Sequence, residues 1–572
     1  MWIKIPKSLL VIIFLSLFFR LILLNVIPNG LSFDEQDYIL NAKVLFLSGH
    51  DISGTWNPLS LTTPKSSFPQ AEIAPLLTFW LIGILPLSLL TSKLIYALFG
   101  IGTVVVLYFI AKKLFGVKEA YVVGLIASIN PWLLFFSRTA YDTPISILGY
   151  LLALYVLLVT KGWKILIAFP FLFIAFYSYI GSKLLYVPFI SIAVAYSWLV
   201  INKKKFAKQY LVLVFLSVIP IIFYVYTLFH SGGSRISELS TPNMPSIAAT
   251  TNRERKLAIA NPLLPMFSNK FVVFTKYSIE KYANAFSPDF LFIHGDSKLL
   301  FTIWEHGVFY YLDALFLIIG GCFLFLKKKK ELILIIGFIA VAPIPSIVSN
   351  VGTSYAIRSM LMAPFILLLI GCGIYYFISL INRKYKKWAV IIVLVLYILQ
   401  LLNYSEIYFF RNPIYNSESF NFSSRVLSKY LMLQKGRETY VINGDPTSPL
   451  KSYIFYSNSL NYDSAKSVAT MYKTKKFEIN NIHFLTCQQA SQLGNESLII
   501  YESVLKCPII SKNNHDLSIT YLSDGGSIYT IQNDKICSKF QLKKYPYGLT
   551  LSDFEIEKLS TQKFCEKFII SN

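Results

Sequence analysis

The stretch Ser32-Phe33-Asp34-Glu35-Gln36-Asp37-Tyr38 crowds three carboxylates just beyond the first long apolar run of the chain. A carboxylate fixed at such a place can take the proton of a hydroxyl acceptor. Asp34 and Asp37 lie three residues apart, so a helix puts both on one face, where like charges repel unless a cation stands between them. The same letters also have a plain structural reading. Ser32 followed by Glu35 three residues later is a capping box, and acids in a first helical turn suit the helix dipole.

Other ionisable groups gather at the ends of later apolar runs: Arg138 and Asp142, then Lys183, then Asp289, His294 and Asp296, then Arg358. Charge at membrane depth is costly, which makes each a functional candidate. Each also has an ordinary role. Arg138 and Lys183 can snorkel to the interface, Asp142 can cap the helix that Pro144 opens, and His294 and Asp296 can build a turn around Gly295. Carboxylates and cations together suit one reaction class, the passage of a sugar from a lipid phosphate to a hydroxyl. A carboxylate would take the acceptor proton, while Arg, Lys or a divalent metal ion held by Asp34 and Asp142 would stabilise the departing phosphate. No nucleotide-binding fingerprint is present, so no nucleotide cofactor is expected.

The elements that must carry these residues are membrane helices. The 572 residues are 55% hydrophobic and 15% charged, with mean hydropathy +0.55. Apolar runs of about 18 to 22 residues recur, the length of a bilayer-crossing helix. The net charge of +23 sits in short clusters at Lys112–Lys113, Lys203–Lys205, Lys327–Lys330 and Arg383–Lys387. Basic loops between apolar runs set topology and do not point to nucleic acid. The first run is expected as an uncleaved span. If the segment 74–90 lies in the interface and does not cross, all four basic clusters fall on the cytoplasmic side. Spans are then expected at roughly 9–27, 93–111, 119–137, 142–160, 163–181, 184–201, 209–229, 307–326, 332–349, 355–379 and 388–404. The fold class is a polytopic α-helical membrane protein of about eleven transmembrane helices with exterior juxtamembrane helices. It has a transmembrane domain over 1–404 with long exterior loops at 28–92 and 230–306. A C-terminal mixed α/β exterior domain follows over 405–572, where strand-like runs appear. Its Cys487, Cys507, Cys537 and Cys565 could form disulfides whose pairing stays open.

The ordered series FDEQDYILNAKVLFLSGHDISGTWNPL, APLLTFWLIGILP, INPWLLFFSRTAYDTPISILGYLLAL, YSYIGSKLLYVP, FSPDFLFIHGD and AIRSMLMAPFILLLIGCG resembles the GT-C membrane glycosyltransferases of the family 39 type. That group includes protein O-mannosyltransferases and the lipid A aminoarabinose transferase. The resemblance covers residues 8–404 and implies a bacterial-type, multi-pass plasma-membrane enzyme with a polyprenyl-phosphate-linked sugar as donor. A glycan, lipid or protein hydroxyl would be the acceptor. It implies Asp34 as general base, Glu35 as its support, Asp142 as a second acid that orients the acceptor or helps hold a metal, and Lys183 and Arg358 as cations near the lipid phosphate. Arg138, Asp289 and His294 join the candidate binding set. Where many relatives carry a Lys-Pro-Pro-like run before Pro75, this chain has Ile73 and Ala74, so no phosphate clamp is expected there. Three rivals remain: a flippase of lipid-linked sugars, which would favour ionisable groups at mid-span, a non-catalytic assembly protein whose exterior domain does the work, and a glycan ligase or polymerase.

Overall fold

The computed structural model describes residues 6–62, 71–230, 244–303, 305–348, 355–434, 436–490, 497–505, 507 and 516–571. Helices stand at all eleven expected places, but they are not eleven uniform spans. Among the described residues six are long and apolar enough to cross a membrane: Leu89–Leu114, Ser182–Ile201, Ala207–Phe229, Lys329–Val348, Met362–Leu380 and Lys386–Tyr415. A seventh is a pair, Val117–Ile129 and Pro131–Ser137, bent by 56°. The bend falls where Asn130 precedes Pro131, because a residue before proline is driven out of helical geometry. Asn130 then caps the second half, accepting the Leu133 N–H at 3.1 Å.

The first helix is shorter than expected, Lys7–Leu21, and gives way to turns that lead to Gly30. The helix Ala74–Ile84 has 11 residues, about 17 Å, too short for a bilayer core of about 30 Å. The expected last span does not stop at residue 404 but continues through a π-helical turn, Ile407–Arg411, to Tyr415. The C-terminal domain is therefore tethered by unbroken helical structure.

Among its described residues that domain holds a seven-stranded mixed sheet. Its strands are β1 (Thr439–Ile442), β2 (Phe477–Ile479), β3 (Ile482–Leu485), β4 (Leu498–Glu502), β5 (Leu517–Thr520), β6 (Ser527–Gln532) and β7 (Ile570–Ser571), in the order β2-β3-β1-β4-β6-β5-β7. β1 runs parallel to β3 and β4, and the other pairs are antiparallel. Disulfides join Cys487 to Cys507 and Cys537 to Cys565.

The sheet domain is docked on the first segment of the chain. Arg425, fully buried, donates to the Asn29 carbonyl at 2.6 Å and forks onto Glu557 at 2.8 and 2.6 Å. Asn421 donates to the Leu31 carbonyl at 2.9 Å, and Asn25 to Glu555 at 2.9 Å. Gly30 sits where the Phe420 carbonyl presses on it and leaves no room for a β-carbon. Residues 25–31, which lead into the acidic stretch, are thus fixed from outside the helical body.

Candidate active site

The acidic stretch opens a helix, Phe33–Ser48, and both readings of its letters hold together. Ser32 Oγ accepts the Glu35 N–H at 3.4 Å, and Glu35 Oε2 accepts the Ser32 N–H at 2.8 Å, a complete capping box. The other Glu35 oxygen accepts the Ala140 N–H at 2.7 Å. Glu35 is fully buried, so it fixes the helix start against the loop 138–142 and has both oxygens engaged. Tyr141 adds a second tie, donating to Ser32 Oγ at 3.1 Å.

Asp34 is half-buried on the first turn of this helix. One turn on, Tyr38 shares its face and donates its hydroxyl to Asp142 Oδ2 at 2.6 Å. Asp142 itself precedes the helix Thr143–Val159 and lies outside it. Burial pushes its carboxyl up to about 7, with the Tyr38 hydroxyl pulling down and the charge of Asp34 pushing up. The charge of Asp34 is felt at Asp37, Tyr141 and Asp142 alike, which puts Asp34 and Asp142 in one electrostatic neighbourhood.

Lys183 belongs to the same neighbourhood, since its charge favours the ionised form of Asp142. Its ammonium lies 2.9 Å from Glu72 Oε2 in a buried pair. The rings of Phe176, Tyr177 and Tyr224 surround it at 5.6, 5.9 and 4.7 Å. Glu72 Oε1 is buried with no hydrogen-bond partner among the described residues. Glu72 is not among the candidates that the sequence suggests. Its one signal there is an acid two residues ahead of an apolar helix too short to span.

The remaining candidates are placed otherwise. Arg138 is not open to a ligand: it is 1% exposed and its guanidinium donates to the carbonyls of Phe19, Arg20 and Ile27 and to the Tyr408 hydroxyl. It closes the C-terminal end of the first helix, whose last carbonyls lack helical partners. Asp289 and His294 are exposed and hydrogen-bonded to each other at 2.5 Å. Arg358 is half-buried at the end of the short helix Tyr355–Arg358. Its charge acts on Asp296, whose carboxylate accepts the N–H groups of Ala356 at 2.7 Å and Lys298 at 3.1 Å. Among the described residues no three His, Cys, Asp or Glu side chains gather as a metal site. Asp34 and Asp142 offer two carboxylates, which fits only an ion that completes its shell from water and substrate.

No family model and no curated protein matches the chain. Among solved structures it is similar to the oligosaccharyltransferase of Archaeoglobus fulgidus in the apo form, at 12% identity and TM-score 0.45, over 87% of this chain and 69% of that one. It is also similar to ArnT from Cupriavidus metallidurans bound to undecaprenyl phosphate, at 13% identity and TM-score 0.45, over 91% of this chain and 96% of that one. The likeness is distant.

Proposed function

We propose that the chain is an integral membrane glycosyltransferase that moves a sugar from a polyprenyl-phosphate donor to a hydroxyl acceptor at the outer face of the plasma membrane. The observation that carries this reading is the hydrogen bond from Tyr38, on the helix of Asp34, to Asp142 Oδ2 at 2.6 Å, beside the tie of Glu35 to the Ala140 N–H, with the charges of Asp34 and Lys183 both acting on Asp142.

In this reading Asp34 takes the proton of the acceptor hydroxyl. The acceptor oxygen forms a bond to the anomeric carbon as the bond from that carbon to the phosphate oxygen breaks. The electron pair leaves with the polyprenyl phosphate. One displacement by an external acceptor inverts the configuration. Lys183 and Arg358 are assigned to the charge that develops on the phosphate. As a point charge, Lys183 needs Glu72 and its aromatic surround for orientation, which an arginine fork would supply by itself. Glu35 and Tyr38 position the two acids. A divalent ion, where one is used, would be held by Asp34 and Asp142 and would supply further neutralisation of the phosphate.

The test is sugar transfer in membranes from labelled polyprenyl-phosphate hexoses, with label followed into lipid, polysaccharide and protein fractions. The native chain is expected to transfer. Asp34→Asn, at equal abundance and melting temperature, is expected to lose about 10²- to 10⁴-fold in rate, the usual contribution of a positioned base. Equal rates in the two would remove Asp34 from the role.

A further inference from the structure

From Leu257 to Asn269 the chain carries no charge, with Arg253, Arg255 and Lys256 on one side and Lys270 on the other. This stretch joins the helix Met244–Lys256 to the helix Lys270–Asn284, and the two pack on each other as a hairpin. Glu254 and Lys276 pair across them at 3.6 Å, and Arg255 Nε donates to the Ser268 carbonyl at 2.7 Å, which closes the base of the tip. The tip turns its large apolar side chains outward: Leu257, Ile259, Leu263, Met266, Phe267 and Phe271 are 60–89% exposed. A contiguous apolar patch of this kind marks a surface that something covers.

Three observations make that cover a lipid surface. The hairpin is rooted on a lipid-facing flank, where Tyr282 donates to the Ala340 carbonyl of the span Lys329–Val348 at 3.0 Å. Ala340 shares a helical face with Ile333 and Ile336, which are 72% and 50% exposed. The contact lies about 17 Å along the helix from Lys329, within a bilayer core of about 30 Å. The tip also satisfies backbone groups of its own, as a segment leaving water must. Asn261 donates to the Ile259 carbonyl at 2.9 Å and accepts the Leu263 N–H at 3.0 Å. Asn269 donates to the carbonyls of Pro265 and Met266 at 3.2 and 2.7 Å and accepts the Val272 N–H at 3.0 Å. The charge is complementary as well. Arg253, Lys256 and Lys270 are exposed at the two edges of the apolar stretch, the pattern of a segment lying on anionic lipid.

We propose that the hairpin tip, residues 257–271, is seated in the bilayer leaflet opposite the basic turns. Its apolar side chains lie at the boundary of headgroups and acyl chains, and Arg253, Lys256 and Lys270 lie on the phosphates of anionic phospholipid. This part of the loop 230–306 is then a membrane anchor and not an exterior segment in water. The inference holds whether or not the chain transfers sugar.

The experiment uses the full chain in vesicles of phosphatidylcholine, alone or mixed with phosphatidylglycerol. A polarity-sensitive fluorophore is attached to Ile259→Cys or Phe267→Cys in a Cys322→Ala/Cys372→Ala chain. Leu394→Cys gives the reference for a lipid-facing span, and Tyr462→Cys the reference for water on the sheet domain. Nitroxide on the upper part of the lipid acyl chains is expected to quench the labels at 259 and 267 several-fold more than the label at 462, and iodide in the buffer several-fold less. Labels that behave like the one at 462 would overturn the proposal. So would labels shielded from iodide yet untouched by the lipid nitroxide, since a second copy or another protein would then be the cover. Nitroxide quenching at 267 is expected to rise about twofold when phosphatidylglycerol is added, and the rise to vanish in Arg253→Gln/Lys256→Gln/Lys270→Gln. Equal quenching in the two vesicles would overturn the assignment to anionic headgroups. Every labelled or charge-altered side chain is exposed, and melting temperatures equal to native check that the fold is kept.

Discussion

Tyr38 joins the helix of Asp34 to the carboxylate of Asp142, and its hydroxyl favours the charged form of that acid. Removing the hydroxyl removes a donor to the ionised state, so Tyr38→Phe raises the midpoint of Asp142 above about 7. If Asp142 works as a carboxylate, the rising limb of the transfer profile then moves to more alkaline pH by about one pH unit, with loss of rate at pH 7. Initial rates from pH 5.5 to 9 measure this. A profile that keeps its position would show that the charge of Asp142 is not used. Local residue relations are legible in the amino-acid sequence. Ser32 and Glu35 read as a capping box because its partners are three residues apart, and the repulsion of Asp34 and Asp37 announces a missing cation. Partners remote in the chain are not legible. Lys451 for Asp37, Glu72 for Lys183 and Ala140 for Glu35 carry no mark in sequence that pairs them. Arg138 is the reverse case: a basic residue at the end of an apolar run, its guanidinium is taken up by three backbone carbonyls and the Tyr408 hydroxyl, none of them marked in sequence.

At the scale of elements, hydropathy locates the apolar helices among the described residues but not where each one ends. The break falls at Asn130–Pro131, which the proline marks, while the continuation from Glu406 to Tyr415 passes through Glu406, Arg411 and Asn412, where hydropathy alone would end the span. In the sheet domain, the runs ETYVING and SLIIYES become β1 and β4, the adjacent parallel strands near its centre. The edge strands are too short to stand out from their loops. The last helix, Thr561–Phe568, is fixed by a disulfide at Cys565 and by Lys563 and Lys567, whose ammonium groups lie 3.2 and 3.3 Å from Asp553. Burial works against the charge of Asp553, but Thr550 and the two lysines outweigh it and hold the carboxyl at about 2. A folded value below the ordinary carboxylate range gives stability that is fully present above about pH 4 and lost as pH falls toward 2. Asp553→Asn is therefore expected to open the C-terminal region to pepsin faster than native at pH 5, with the gap closing by pH 2. A gap that persists at pH 2 would assign the effect to packing and not to charge.

At the scale of the whole molecule, the ends of the helices decide which residues can share a compartment. Lys328, in the turn between Tyr311–Lys327 and the helix that begins at Lys329, donates to the Leu114 carbonyl at 3.3 Å. That contact sets two of the basic clusters side by side at one end of the bundle. The helix Leu89–Leu114 leads there, and the bent pair from Val117 leads back to the loop that carries Arg138 and Asp142. The same alternation takes Ser182–Ile201 from Lys183 at the site end to Lys203–Lys205 at the basic end. Basic turns stay on the cytoplasmic side, so the end that bears Asp34, Asp142 and the sheet domain should face outward, where two disulfides would also persist. Reporter fusions test this directly. Alkaline phosphatase joined after residue 572 is expected to be active, and the same enzyme inserted after Lys204 inactive, with a cytosolic fluorescent reporter showing the reverse. The opposite pattern would place the acids on the cytoplasmic face, where the donor, the acceptor and the oxidised cysteines would all need a different account. A sheet domain found outside would instead confine the acceptor to molecules that reach the outer surface, because Lys451 and Arg425 bring that domain directly onto the helix of Asp34.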